Sequence, residues 1–125
     1  DTYPDGEQFP GILPLRLEGG LYFATADALG DRVRELVLTT KPPIWALVID
    51  FQSVNFIDSQ GSAQIRELIT LADERRLDLR LARVKPVVQS VLARDGVVAA
   101  LGEERFNTDV NAAVQALLAT RNGVH

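Results

Sequence analysis

Cysteine is absent from this chain of 125 residues, and its only histidine is the last residue, His125. Without cysteine, the chain has no disulfide framework, no thiolate nucleophile and no thiolate metal site. The terminal histidine is interpreted as part of a tail. Histidine-dependent catalysis and histidine-rich zinc sites are therefore excluded, and we predict neither catalytic residues nor metal ligands.

An excess of positive charge and long apolar runs are missing as well. Seventeen acidic residues outnumber thirteen basic ones, which gives a net charge of −4 and argues against a nucleic-acid partner. No apolar run reaches the ~20 residues of a membrane-spanning helix, and no secretory signal opens the chain. Because the chain begins with Asp1 rather than Met, we expect it to be a piece of a longer protein.

The first third of the chain has the patterns of a hairpin and a helix. Apolar and polar residues alternate over 13–17, and Pro14 predicts that this strand lies at or near a sheet edge. Two glycines at 19–20, followed by an apolar run at 21–23, predict a β-hairpin. Thr25 is the predicted N-cap of the first helix.

The remainder predicts strands that alternate with helices. A near-continuous apolar run at 44–51 indicates a strand covered on both faces, as in a parallel sheet. Alternation over 77–82 predicts another strand. A third helix is predicted to begin at Pro86 and to end at Gly96, and Thr108 is the predicted cap of a last helix. The second helix has an apolar stripe made of Ile65, Leu68, Ile69 and Ala72.

These patterns together predict the α/β fold class. We expect a mixed central β-sheet with an N-terminal hairpin and parallel βα units, flanked by about four helices. The crossovers between parallel strands should be right-handed. We expect one domain over 1–125, with an extended lead-in at 1–11, a globular core at 12–120 and a tail at 121–125.

The turn between the buried strand and the second helix is the candidate site. Asp58, Ser59, Gln60 and Gly61 lie at the predicted helix N-terminus, where free backbone N–H groups and the helix dipole favour anions. Two interpretations remain open, and they are compatible with each other. Asp58 or Ser59 caps the helix, or the helix start binds an anion or a nucleotide phosphate.

Three observations bear on the strength of such a site. The sequence has no phosphate-binding Gly-rich loop, and no basic residue lies between Lys41 and Arg66. The negative charge of Asp58 also opposes a phosphate beside it. Asp50 and Asn55 are interpreted as supporting residues of the turn rather than as catalytic groups.

A run of basic residues follows the second helix. It is interpreted either as a solvated edge or as a docking surface for an acidic partner or for anionic lipid headgroups. The run consists of Arg75, Arg76, Arg80, Arg83 and Lys85.

Two segments carry motifs of a known family. Residues 50–61 read DFQSVNFIDSQG, and residues 3–11 read YPDGEQFPG, followed by LYFATA at 21–26. The first resembles the motif of STAS domains (sulphate transporter and anti-sigma factor antagonist). The second resembles the lead-in of the STAS domains attached to bacterial SulP-type anion permeases.

The resemblance implies a non-catalytic regulatory or interaction domain of a sulphate or anion transporter. Such a domain would lie on the cytoplasmic face of the bacterial inner membrane. Its partners would be the transmembrane domain of the same polypeptide and a second STAS domain in a transporter dimer. The resemblance implies no cofactor beyond weak GTP or ATP binding, with a nucleotide or anion sensed at the helix start after Asp58.

One position departs from the family pattern and bears on the alternatives. In free-standing anti-sigma factor antagonists, a kinase modifies the hydroxyl residue just before the motif glycine, and Gln60 occupies that position here. Such an antagonist, a protein-interaction switch, is the alternative function. A nucleotide hydrolase is a third hypothesis, for which the sequence offers no group to position water or to neutralise phosphate charge.

Overall fold

Four short strands form one parallel sheet in the computed structural model, which describes residues 11–17, 23–39 and 44–123. Neighbouring strands in the sheet are also consecutive in the chain, in the order β1-β2-β3-β4. The carboxyl ends of all four strands therefore lie together, at what we call the carboxyl edge of the sheet. The amino ends of the strands lie at the opposite edge, which we call the amino edge. The strands are β1 (Ile12–Arg16), β2 (Ala46–Asp50), β3 (Asp78–Ala82) and β4 (Phe106–Asn107).

Five α-helices and one 3-10 turn (Glu103–Arg105) connect and cover these strands in the described residues. The predicted α/β fold class is confirmed. Within the described ranges, no helix combines the length and the apolar character needed to cross a membrane. The helices are α1 (Phe23–Thr39), α2 (Ser59–Glu74), α3 (Pro86–Arg94), α4 (Val97–Leu101) and α5 (Val110–Gly123).

The sheet is covered on both faces, as the apolar run at 44–51 predicts. All five residues of β2 are buried. Leu47 and Ile49 face the larger core, formed with helices α1 to α4, whereas Ala46 and Val48 face the smaller core under α5. The apolar stripe of α2 is buried as predicted, which fixes the start of α2 against the carboxyl edge.

Helix α5 covers the second face with a narrow apolar stripe. Ala113, Val114 and Leu117 pack against that face of the sheet. Beside them, Trp45 is half-buried, and the Arg121 guanidinium carbon lies 4.3 Å from the centre of its ring. This cation–π contact joins the end of α5 to the residue just before β2.

Three predictions, about the edge strand and about the start and the end of the third helix, are confirmed by the structure. The strand that contains Pro14 lies at the end of the described sheet and pairs only with β2 there. Pro86 occupies the first turn of α3. Gly96, just past the end of α3, has φ +83°, the left-handed conformation in which a glycine costs least.

The start of the first helix was predicted wrongly. Phe23, expected in the second strand of a hairpin, is the first residue of α1, and Thr25 lies inside that helix instead of capping it. Residues 18–22, the remainder of the predicted hairpin, lie outside the described residues, as do residues 1–10 of the lead-in and 124–125 of the tail. All strand pairs in the described sheet are parallel.

The region after α3 contains three short elements that the sequence patterns did not predict. Helix α4, the 3-10 turn and the two-residue strand β4 are too short to show an apolar period. The cap of α5 was also misplaced by one residue. The Ala112 N–H donates to Asp109 Oδ1 over 2.7 Å, so Asp109 caps this helix rather than Thr108.

Helix α2 ends in a Schellman motif that has arginine where glycine is usual. Arg76 has φ +58°, its N–H donates to the Asp73 carbonyl oxygen over 3.2 Å, and the Leu77 N–H donates to that of Ala72 over 2.8 Å. A residue with a Cβ pays for the left-handed conformation. The change Arg76→Gly should therefore raise the free energy of unfolding by about 1 kcal/mol, measured by urea denaturation.

The matched control for this prediction is Arg75→Gly. Arg75 has φ −97°, so its backbone has no left-handed strain that glycine could relieve. Glycine should therefore lower the free energy of unfolding there by up to about 1 kcal/mol. Equal effects of the two substitutions would contradict the assigned strain at Arg76.

Candidate functional site

The turn after β2 is held in place by the buried carboxylate of Asp50. The Gln52 N–H donates to Asp50 Oδ1 over 2.9 Å, and Arg16 Nε on the neighbouring strand lies 3.6 Å from Oδ2. Asp50 is fully buried, so it shapes the turn and is not available to a ligand. Asn55, the other predicted support, is exposed on the turn.

Asp58 caps α2. Its backbone is extended (φ −108°), and the Gly61 N–H donates to its Oδ1 over 2.8 Å. The Ser62 N–H donates to the Asp58 carbonyl oxygen over 2.9 Å. The capping interpretation of this motif therefore describes the geometry of Asp58.

Two donors at the start of α2 remain open. The backbone N–H groups of Ser59 and Gln60 have no acceptor among the described residues, and both residues are exposed. They lie at the positive end of a helix of 16 residues. Anion binding at this helix start remains a prediction, for which these two N–H groups are the available donors.

Arg94 is a neighbour of this site that sequence reasoning missed. Its Nη2 donates to Ser59 Oγ over 3.3 Å, which places a guanidinium beside the start of α2. Lys85 Nζ donates to the Gln52 carbonyl oxygen. Two cations from the two ends of α3 thus flank a turn that has no basic residue of its own. No local pattern links residues so far apart in the chain, so their contacts with the turn could not be predicted from the sequence.

Asp95 is the counter-ion of Arg94. Arg94 Nε lies 3.0 Å from Asp95 Oδ1, and this hydrogen-bonded guanidinium lowers the pKa of the Asp95 carboxyl. The buried Ser62 hydroxyl adds to that lowering through its closeness to Asp95, although its geometry falls short of a hydrogen bond. Part of the positive charge of Arg94 is therefore already balanced within the protein.

The predicted basic run does not form one surface. Arg80 is only 6% exposed; it pairs with Asp78 over 3.3 Å and donates to the Glu104 carbonyl oxygen over 3.3 Å. Strand β3 is covered on both faces, so its polar alternation does not mark a solvent face. Placing Arg80 on a docking surface was therefore wrong.

The other four cations of that run lie at two opposite edges of the sheet. Arg75 and Arg76 follow α2 at the amino edge, whereas Arg83 and Lys85 follow β3 at the carboxyl edge. The five residues of β3 separate the two pairs by about 16 Å. Docking through either pair remains a prediction.

A cleft of about 500 Å³ lies away from the predicted site, at the amino edge. It opens between the end of α2, the start of β3 and the region of α4. Arg105 pairs with Asp78 inside it. Because its rim mixes acidic and basic side chains, it does not select a ligand of one charge. Among its lining residues are Ile69, Leu77, Asp78, Leu101 and Arg105.

Comparison with known proteins identifies the family of this chain. The family model of the STAS domain matches residues 3–113. This chain belongs to the STAS domain family. The segments expected to carry the resemblance, around residues 3–11, 21–26 and 50–61, all lie within the match.

The proteins similar to this chain include transporters and a signalling assembly. Sulfate transporter 1.1 of Arabidopsis thaliana is 32% identical over 120 residues, which cover 90% of this chain but only 18% of the plant protein. A sulfate transporter family protein from Wolinella succinogenes, 23% identical, superimposes with a TM-score of 0.79 over 96% of this chain and 97% of its own. A chain of the stressosome, a signal integration and transduction hub, superimposes with a TM-score of 0.73 at 15% identity, over 93% and 97% of the two chains. The fold alone therefore does not separate the transporter class from the signalling class.

The cap at Asp58 yields a stability prediction. Asp58→Ala should lower the free energy of unfolding by about 1 kcal/mol, because the Gly61 N–H loses its acceptor. Asp58→Asn keeps a side-chain oxygen in place and should cost no more than a few tenths of that amount. Urea denaturation of both variants measures the difference, and an alanine variant as stable as the asparagine variant would contradict the assigned cap.

Proposed function

We propose that this STAS domain is the cytosolic regulatory domain of a bacterial SulP-type transporter of sulphate or a related anion. The identity to a sulphate transporter over nine tenths of the chain is the observation that carries the proposal. The chain spans about a fifth of that relative, so the membrane portion and the transport pathway would lie elsewhere in the polypeptide. The domain acts by contact with that portion, and with a second copy in a transporter dimer, on the cytoplasmic face of the inner membrane.

The alternative, a free-standing anti-sigma factor antagonist, is disfavoured by Gln60. This residue is exposed in the first turn of α2, just before Gly61, where a kinase would need a hydroxyl group. An amide side chain has none, so that phosphorylation switch cannot operate at this position. Ser59 does carry a hydroxyl, but Arg94 already donates to it.

The regulatory signal that we propose is an anion, sulphate or a nucleotide phosphate, at the start of α2. The open N–H groups of Ser59 and Gln60 would bind its oxygens, and Arg94 would supply the positive charge. Asp58 opposes binding, and only two open amides face the ligand, so affinity is expected in the millimolar range. The domain is non-catalytic in this proposal.

The transporter proposal predicts the effect of removing this domain. The full-length protein should contain several apolar segments of ~20 residues, and it should take up sulphate or a related anion. Deletion of this domain should reduce uptake or assembly and leave the order of preference among anions unchanged. Uptake of labelled sulphate and competing anions, normalised to the amount of inserted protein, measures this. A changed order of preference in a normally inserted deletion variant would contradict the proposal.

The sensing proposal predicts opposite effects of two substitutions at one site. In amide NMR titrations of the labelled domain with sulphate, GTP and ATP, the signals of Ser59, Gln60 and Gly61 should shift saturably. Asp58→Asn should tighten sulphate binding about fivefold, because it removes a like charge and retains the cap. Arg94→Gln should weaken binding by a similar factor.

The control for this titration is Arg75→Gln, which removes the same charge at the amino edge. It should leave sulphate binding within about twofold of the unchanged domain. Flat titrations at millimolar ligand would contradict sensing and leave the turn as a helix cap only.

A further inference from the structure

We infer that the carboxyl edge carries a docking surface for anionic phospholipid headgroups. The inference rests on the proposed function, since a transporter domain is held close to a membrane. We call the surface formed by Phe56, Arg83, Val87 and Arg94 the headgroup surface. The bound species is the headgroup layer of a bilayer, and the contact is peripheral.

Exposed apolar side chains are the first observation. Phe56 on the turn after β2 is 49% exposed, and Val87 in the first turn of α3 is 61% exposed. Within the described part of the chain, the other large apolar side chain with comparable exposure is Leu38, near the end of α1. Two of these three side chains therefore lie at the carboxyl edge, and α1 supplies a reference position away from the surface.

Two contacts bring the elements of this surface together. Lys85 Nζ donates to the Gln52 carbonyl oxygen, which fixes the start of α3 against the turn that carries Phe56. Arg94 Nη2 donates to Ser59 Oγ, which fixes the end of α3 against the start of α2. Helix α3, of nine residues, therefore lies along the turn, with Val87 near one end and Arg94 at the other.

The exposed charged side chains of this surface are arginines, although the whole chain is acidic. Arg83 and Arg94 are exposed, and Lys85 adds a third cation. Four carboxylates of this edge are buried or half-buried: Asp50, Asp58, Asp95 and Asp109. Asp58 and Asp109 cap helices, and Asp95 balances part of the charge of Arg94.

The starts of two helices add to this positive potential. The N–H groups of Ser59 and Gln60 are open at α2, and Lys85 provides no side-chain cap at α3. Both helices are long enough for their dipoles to favour anions at this edge. The two helix starts and the exposed arginines therefore attract phosphates, whereas Asp58 opposes them at the start of α2.

A phospholipid surface matches this combination. The bilayer interface presents phosphates beside an apolar layer, so cations and single exposed apolar side chains are satisfied together. The two apolar side chains and two arginines of this surface give only weak binding for a free domain. A domain tethered to a membrane portion meets headgroups at a high effective concentration, so weak binding is sufficient. An acidic protein segment is the competing partner, and the experiment separates the two.

The experiment measures sedimentation of the domain with phospholipid vesicles. Binding to vesicles of phosphatidylcholine with about 30% phosphatidylglycerol should be at least about tenfold stronger than binding to pure phosphatidylcholine, and it should fall with added salt. Arg83→Glu and Phe56→Ser should each weaken binding to the anionic vesicles, the first by about tenfold. Circular dichroism confirms that each variant is folded.

Matched controls make the same changes away from the surface. Arg75→Glu reverses a charge at the amino edge, and Leu38→Ser removes an exposed apolar side chain from α1. Both should bind anionic vesicles within about twofold of the unchanged domain. Equal losses in the controls would overturn the assignment of this surface.

Two further results would overturn the inference. The first is equal binding to neutral and anionic vesicles, or binding to neither. The second is saturable binding of a pentaglutamate peptide without vesicle binding, which would assign the surface to an acidic protein segment. Neither result bears on the transporter proposal, because the uptake assay tests that independently.

Discussion

Burial of β2 on both faces is the constraint on which the rest of this structure depends. Each buried aliphatic side chain contributes roughly 1.5–3 kcal/mol, and β2 supplies such side chains to both cores. A strand covered on both sides needs helices on both sides, and parallel neighbours need crossovers that place those helices. The same arrangement fixes where the chain must turn, because every crossover helix begins at the carboxyl edge.

The polar features of that edge follow from this constraint. Asp50 ends the buried strand without access to solvent, so its carboxylate is satisfied by Arg16 and the Gln52 N–H. The turn is thereby fixed, and Asp58 begins α2 in a defined position. Helix α3 then supplies Lys85 and Arg94 from its two ends. Charge at the site comes from a neighbouring βα unit, whereas the turn itself supplies backbone donors.

Prediction from the sequence succeeded where a pattern is long or a residue is conformationally restricted. The apolar run at 44–51, the stripe of α2, Pro86 and Gly96 each correspond to one structural outcome. Prediction failed where neighbouring residues are equally suited to the same structural role. Thr108 and Asp109 are both good caps, and only the geometry selects Asp109.

Two further failures have different physical reasons. Arg80 alternates with leucines as a solvent-facing residue would, but the covering of β3 on both faces depends on elements far away in the chain. Arg94 reaches Ser59 only because the end of α3 lies against the start of α2, which no local pattern encodes. The backbone part of the candidate site could therefore be predicted from the sequence, whereas its cationic part could not.

The contact between Trp45 and Arg121 has an optical consequence. The chain contains a single tryptophan, so all tryptophan fluorescence comes from one known position. That indole lies at the smaller core, under the end of α5 and on the face of the sheet opposite α2 and α3. Its emission reports the departure of α5 from the sheet separately from the melting of the larger core. Two-step loss of structure, if this domain undergoes it, is therefore visible without any added label.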